Sequence, residues 1–311
     1  MRRSEVAFGI ALCAFLASCT TTAPTAAADV STFDAGFTPV STHRIYAFDT
    51  ISFIRLDPDG RAVGWDLDHK ISDDTDKTTC NHSDFLSPDG VPGIDNQFAT
   101  LVPLLAATRI SAVEQLLQAS ITSGGILMLV ELNGIDDLKN DPDIDVRVRA
   151  AFGVPLLGTD GLLLTDQTFH VSPRDPDVHV PHAWLKDGVL ETPPFDIVLP
   201  VQVFGKDYAL DARGAHVRFH IVDGERIDHG SLGAGITLQS IRAIALKAAE
   251  GEGDILEIVE NLVAGNGDLE PDASGACTQM SAGLQFTGVS AYFFAADTTP
   301  TTGGADASTG D

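Results

Sequence analysis

Basic side chains are scarce in this sequence. Its 311 residues contain 19 Lys and Arg against 44 Asp and Glu, which gives a formal net charge of −25 at pH 7. Proteins that bind nucleic acid use lysine and arginine to displace the counterions of the phosphate backbone, so we expect no nucleic-acid partner. The same acidity repels anionic lipid headgroups, and a basic surface patch is therefore excluded as a means of membrane binding.

Several motifs that mark enzymes are absent as well. The sequence has no Gly-x-x-x-x-Gly-Lys phosphate loop, no Gly-x-Gly-x-x-Gly, no His-Glu-x-x-His and no Gly-x-Ser-x-Gly elbow. The nearest approach to the elbow surrounds Ser231, but His229 stands where the first glycine is required, so we interpret residues 228–235 as a turn. His216 and His220 share one strand face, yet four residues of extended chain separate them by roughly 13 Å, too far for one ion.

The first nineteen residues have the pattern of a bacterial export signal. Arg2-Arg3 provides a positive start, Val6–Leu16 is a short apolar stretch, and Leu16-Ala17-Ser18-Cys19 follows with small residues before the cysteine. The apolar stretch is too short for a permanent transmembrane helix. The last four residues resemble the lipobox of bacterial lipoproteins. A plain secretory signal with an incidental cysteine is the alternative.

The resemblance to lipoproteins implies a specific processing and location. Residues 1–18 would be the signal peptide, Cys19 would be acylated, and the acyl chains would anchor the protein in the cell envelope. Thr20 follows the cysteine, and by resemblance the absence of aspartate there favours the outer membrane. Removing residues 1–18 takes away two arginines and one glutamate, so the mature chain would carry a charge of −26.

Composition divides the remaining chain into three parts. Residues 19–40 are rich in Thr, Ala and Pro, which predicts a lipidated flexible tether. Residues 296–311 have the same character and are predicted to be a disordered tail. Residues 41–295 lack a second linker of this kind, so we expect a single β-rich globular domain.

Two cysteines remain after processing, Cys80 and Cys277. In an exported protein such a pair predicts a disulfide. The alternative, two ligands of a zinc site, lacks Cys-x-x-Cys or paired histidine spacing at either position.

Period-two alternation of apolar and polar residues dominates the predicted domain. The predicted strands cover residues 44–56, 125–132, 145–152, 196–204, 216–222 and 284–294. Three stretches have a helical period instead, at residues 110–117, 241–248 and 255–263. We therefore expect a mainly β fold (α+β), an antiparallel β-sandwich or curved sheet with added helical segments.

Residues 65–96 contain eight aspartates and two Asp-Gly or Pro-Gly turns. Calcium takes six to eight oxygen ligands from carboxylates and carbonyls on loops, which makes Ca2+ the cation that this segment would bind. The candidate ligands are Asp66, Asp68, Asp73, Asp74 and Asp76. The spacing does not match an EF-hand, and a solvated run of charge is the alternative interpretation.

A second acidic loop precedes Cys277 and contains Asp268 and Glu270. The predicted disulfide would bring this loop next to the first one, where the two sets of carboxylates would repel each other unless a cation or solvent intervened. We include both residues as further candidate ligands.

The segment from Trp65 through Asp66-Leu67-Asp68, Cys80, and residues 87–97 also resembles a stretch of uncharacterised bacterial surface lipoproteins, a likeness that implies no activity. Three functions are compatible with the sequence. The first is a non-enzymatic surface module that binds a glycan, protein or other envelope partner. The others are a hydrolase that uses a carboxylate pair and a carrier of envelope lipid.

Overall fold

A computed structural model of the protein describes residues 43–106, 113–173, 176–203, 206–248, 263 and 265–298. The predicted signal peptide, Cys19 and the tether lie outside the described residues. So do most of the third helical stripe and all but the first three residues of the tail. No helix within the described ranges is long and apolar enough to cross a membrane.

Eleven strands provide most of the secondary structure of the described residues. They are β1 (His43–Phe53), β2 (Leu127–Asn133), β3 (Asp141–Phe152), β4 (Gln167–Val171), β5 (Asp177–Lys186), β6 (Val189–Glu191), β7 (Phe195–Val203), β8 (Lys206–Val222), β9 (Arg226–Thr237), β10 (Leu269–Pro271) and β11 (Cys277–Phe293). The helices are α1 (Phe98–Ala106), α2 (Val113–Thr122), α3 (Leu238–Ala248), the short α4 (Ala295–Thr298) and a 3-10 helix at Lys77–Thr79.

The alternating sequence patterns form strands because each strand buries one face. In β8 the side chains of Val217, Phe219 and Ile221 are buried, whereas Arg218 and His220 between them are partly exposed. A side chain in a strand points to the face opposite that of its neighbours, so this pattern places one row in the core and the other toward solvent. The predicted mainly β fold is confirmed.

Eight strands close into an antiparallel barrel in the order β1-β2-β3-β5-β6-β8-β9-β11, with β11 pairing back to β1. The sequence pattern predicts a sandwich or curved sheet, and the ring closure gives a barrel in place of two packed sheets. Closure pairs the edges that a sandwich would leave open. The 17-residue strands β8 and β11 allow it, since their bulges let each one bend between different partners.

The barrel interior is filled with side chains. Tyr46 meets Phe219 edge to face at a ring-centroid distance of 6.5 Å, and Phe219 meets Phe286 in the same way at 6.2 Å. The next residues along β1 face the other way: Ile45 and Ala47 belong to a second apolar cluster on the outer side of the barrel, beneath β4. The two clusters together bury both faces of β1 and β2.

The interpretation of residues 228–235 as a turn is wrong, because they belong to β9. The glycines in this segment make space for larger neighbours. A Cβ at Gly230 would lie 2.5 Å from the Phe286 ring, and one at Gly233 would lie 2.2 Å from the Trp65 indole. These glycines are therefore required by packing on the two faces of the strand and not by a reversal of the chain.

Candidate metal centre

The acidic segment, residues 65–96, is attached to the outside of the barrel at both of its ends. Trp65 and Asp95 form an isolated antiparallel bridge in which the Asp95 amide donates to the Trp65 carbonyl at 2.8 Å. The Trp65 indole packs on β8, stacked on His216 at 4.9 Å and with the Arg218 guanidinium 4.2 Å from its ring centroid. The first and last residues of the segment are thereby held beside each other.

A disulfide fixes the middle of the acidic segment. Cys80 and Cys277 are bonded, with their Cα atoms 6.0 Å apart, so the predicted disulfide is confirmed. Cys80 directly follows the 3-10 helix, and Cys277 is the first residue of β11. The bond therefore holds the acidic segment next to the loop that carries Asp268.

Three carboxylates converge where the ends of the acidic segment meet. One carboxylate oxygen each from Asp66, Asp68 and Asp95 lies within 4.8 Å of the others. Asp66 is exposed, Asp68 is half-buried, and Asp95 is only 5 % exposed. The Asp95 Oδ2 atom accepts hydrogen bonds from the Leu67 amide at 2.6 Å and the Asp68 amide at 3.3 Å. We name this group the Asp66–Asp68–Asp95 cluster.

Asp95 is missing from the ligands predicted from the sequence. The pair Asp66 and Asp68 follows from period-two spacing, whereas Asp95 is 27 residues further along the chain than Asp68. It reaches the pair through its bridge to Trp65, which no local pattern indicates. The available signal was the unusual number of aspartates in the segment.

Burial and neighbouring charge both disfavour ionisation of Asp95. Burial, together with the carboxylates of Asp68, Asp84 and Asp268, raises the pKa of Asp95 to about 8 against the hydrogen bond from the Leu67 amide. Burial also raises the pKa of Asp84. Asp68 has a positive charge beside it, that of Lys70, whose Nζ atom is 3.6 Å from the Asp68 Oδ2 atom. Such crowded carboxylates are ones that a cation would stabilise in the ionised form.

The other predicted ligands in the segment point elsewhere. Asp73 accepts hydrogen bonds from the Thr75 amide at 2.9 Å and hydroxyl at 2.6 Å. Asp76 accepts from the Thr78 amide and hydroxyl, both at 2.7 Å. These bonds lower the pKa of Asp73 and of Asp76, and Asp74 is exposed. Asp73 and Asp76 thus stabilise turns of the segment, and all three residues lie outside the cluster.

The two candidate ligands from the second acidic loop, Asp268 and Glu270, lie in different environments. Asp268 is buried and accepts hydrogen bonds from the Ser281 amide at 2.7 Å and from its hydroxyl. Burial raises the pKa of Asp268 to about 6 despite these bonds, and Asp84 contributes to the rise. Glu270 is exposed on β10 and lies outside the cluster. Asp268 therefore acts on the cluster through its charge.

The geometry of the cluster suits calcium. Its donors are all carboxylate oxygens, three groups that offer up to six oxygen ligands to a hard cation. Calcium–oxygen bonds are about 2.3–2.6 Å long, so two oxygens on one ion lie at most roughly 5 Å apart. One oxygen from each of the three carboxylates lies within 4.8 Å of the others, which is compatible with that span.

Comparison of the chain with protein-family models, with curated proteins and with solved structures found no match.

Proposed function

We propose that this protein is a lipid-anchored, non-enzymatic binding module of the bacterial cell envelope, and that calcium locks its acidic segment onto the barrel. The observation that carries the calcium part is the convergence of Asp66 and Asp68 on the buried Asp95. The anchor at Cys19 rests on the resemblance of residues 16–19 to a lipobox, and Thr20 in place of aspartate favours the outer membrane.

The argument for a bound cation is one of charge compensation. A solvated run of aspartates would spread its carboxylates into water. Here the chain instead brings Asp66 and Asp68 to Asp95, whose burial makes its own ionisation costly. A divalent cation would offset most of the negative charge of the three carboxylates and bind both ends of the acidic segment together. The segment would then be held by three links: the ion, the Trp65 contact and the disulfide.

The surface of the barrel supports a binding role. The rings of Phe152, His170 and Phe294 form one stack, with centroid distances of 5.0 Å and 4.1 Å between successive rings. Both phenylalanines are exposed, as are Val154 after β3 and Tyr292 on β11. Exposed apolar patches mark interaction sites, and we propose the stack of Phe152, His170 and Phe294 as the site of the envelope partner.

The two other functions from the sequence have less support. A lipid carrier needs interior space, whereas the barrel interior of the described residues is packed with side chains such as Tyr46, Phe219 and Phe286. A carboxylate hydrolase would be favoured by the raised pKa of Asp95. However, Asp95 is 5 % exposed and bonded to backbone amides, so a substrate has little access to it.

Calcium is expected to raise the melting temperature, and a chelator is expected to lower it. Ion binding at a hundredfold excess over Kd stabilises a protein by about 2.7 kcal/mol, which corresponds to roughly 5–10 °C for a domain of this size. The double variant Asp66→Asn/Asp68→Asn should lose this response and melt higher than the wild type in chelator, because repulsion among the carboxylates falls. Differential scanning calorimetry with EDTA, calcium and magnesium measures these shifts.

The double variant Asp73→Asn/Asp74→Asn is the matched control, since it removes two charges from the same segment but outside the cluster. It should keep the full calcium response. Magnesium should restore stability poorly, because it gives up its waters reluctantly. Equal and weak effects of calcium, magnesium and sodium chloride would identify a solvated charge run and contradict the calcium site.

Fatty-acid labelling tests the anchor. The wild-type protein should incorporate labelled fatty acid and partition with the detergent phase, because several acyl chains bind a membrane far more firmly than one. Cys19→Ala should lose both properties. Cys13→Ala should retain them, because Cys13 lies within the apolar stretch and follows the bulky Leu12 where a lipobox has a small residue. Recovery of unlabelled wild-type protein in the aqueous phase would refute the lipid anchor.

A further inference from the structure

A second group of metal-ligand side chains lies on the β8–β9 hairpin. Donor atoms of His220, Asp228 and His229 all lie within 4.8 Å of one another. The Asp228 Oδ1 atom is 3.1 Å from Nδ1 of His220 and 2.9 Å from Nδ1 of His229. Both imidazoles therefore share one carboxylate oxygen.

Local irregularity of the two strands brings the three side chains to one side. His220 lies opposite Asp228 in the antiparallel register, next to a bulge that begins after Arg218. Neighbouring residues of a regular strand point to opposite faces, which would separate Asp228 from His229. His229 instead has a left-handed backbone with φ of 48°. Bulges and left-handed residues re-aim side chains in this way, and they occur often at functional sites.

We propose that His220, Asp228 and His229 bind a zinc ion. Zinc is bound in proteins by imidazole nitrogen at about 2.0–2.1 Å and by carboxylate oxygen at about 2.0–2.2 Å, in tetrahedral geometry. Ligand atoms at those lengths lie roughly 3.3–3.4 Å apart. The two observed nitrogen–oxygen distances are shorter by a few tenths of an ångström, so small side-chain rotations open the site to the ion.

The ligand atoms of this site differ in type from those of the Asp66–Asp68–Asp95 cluster. Two imidazoles and one carboxylate suit zinc, whereas calcium prefers oxygen ligands alone. The His229 side chain is 86 % exposed, and the other two are about half as exposed. The ion would therefore keep an open fourth position for water or for a donor group of a partner molecule. This inference stands independently of the calcium site and of the lipid anchor.

The negative charge of the β8–β9 turn and the space around the His220 ring also favour a bound cation. The turn between β8 and β9 carries Asp223 and Glu225, and together with Asp228 these give local negative charge. Arg226 is the basic residue in the same stretch. The ring of His220 lies against Gly188, where a Cβ would be 3.3 Å from Nε2. Glycine at that position leaves the imidazole room to adjust to an ion.

Equilibrium dialysis of the full-length protein against zinc chloride tests the site, with millimolar calcium present to saturate the aspartate cluster. We expect one zinc per chain. His229→Ala and His220→Gln should each weaken zinc binding at least tenfold, and calorimetric melting should show that both variants remain folded. Substitution with cobalt should give the visible absorption of a tetrahedral site in the wild type and lose it in His229→Ala.

His182→Ala is the matched control. His182 is also highly exposed, also has a positive φ, and its Nδ1 also lies 2.9 Å from an aspartate oxygen, that of Asp143, but it has no second imidazole in this arrangement. It should bind zinc as the wild type does. Equal zinc affinity of the wild type and the His229→Ala and His220→Gln variants, or equal losses in His229→Ala and His182→Ala, would overturn the proposal.

Discussion

Replacement of both Cys80 and Cys277 by serine is expected to lower the free energy of unfolding by about 5 kcal/mol. The disulfide joins positions 197 residues apart, and in the chain-entropy model a link across so long a loop removes much of the freedom of the unfolded chain. Urea denaturation in saturating calcium gives the difference. The wild type in reductant should show the same loss, which controls for effects of the serines themselves.

The same variant should also bind calcium more weakly. The disulfide holds the acidic segment, with Asp66, Asp68 and Asp95, next to the loop of Asp268. Without it the segment gains freedom that calcium binding must then remove. Zinc binding at the β8–β9 hairpin should be unchanged, because no disulfide residue belongs to that strand pair. A loss of stability below about 1 kcal/mol would show that the disulfide constrains little of the unfolded chain.

Local periodicity predicted five of the eight barrel strands, β1, β2, β3, β8 and β11, but missed β5, β6 and β9. The alternation at residues 216–222 lies within β8, that at 284–294 ends one residue beyond β11, and the stripe at 241–248 lies within α3. Each of these patterns reflects burial of one face of a single element. Such patterns carry no information on which edges pair, so the sequence could indicate a mainly β fold but not a closed ring.

Closure depends on contacts between distant parts of the chain. Tyr46 on β1 pairs with Ser290 on β11, and the ring would stay open without this last pairing. The glycines of β9 led to the wrong prediction of a turn for a related reason. Gly230 and Gly233 are typical of turns when considered locally, yet in the fold they accommodate Phe286 and Trp65 from distant segments.

The candidate metal sites were predictable to different degrees. Asp66 and Asp68 share a face by simple alternation, but Asp95 joins them only after the chain has returned past Trp65. At the hairpin, the sequence places His216 and His220 on one strand face but too far apart to share an ion. The structure instead places His216 on Trp65 and brings His229 to His220 through a bulge and a left-handed residue. Such backbone irregularities have no periodic signal in the sequence.

Asp95→Asn is expected to remove a large part of the pH dependence of stability in the metal-free protein. Burial raises the pKa of Asp95 from its ordinary 3.8 to about 8, so the folded state binds a proton that the unfolded state has already released. The wild type in EDTA should therefore lose stability as pH rises from about 4 to about 8, by at most roughly 1.4 kcal/mol per pH unit. Calcium should flatten this dependence by replacing the proton.

The difference between wild type and Asp95→Asn isolates this contribution. Urea unfolding in EDTA at pH 5, 6, 7 and 8 measures it, and subtraction cancels contributions that the two proteins share, such as those of His82 and His216, whose pKa values burial lowers. Asp268, with a pKa raised to about 6, contributes in the same direction mainly below about pH 7, so the slope between about pH 7 and 8 belongs to Asp95. Asp74→Asn, which removes an exposed carboxylate from the same segment, should retain the wild-type slope. Parallel pH profiles for the wild type and Asp95→Asn would show that Asp95 ionises normally in the folded protein, and the charge-compensation argument for calcium would then fail.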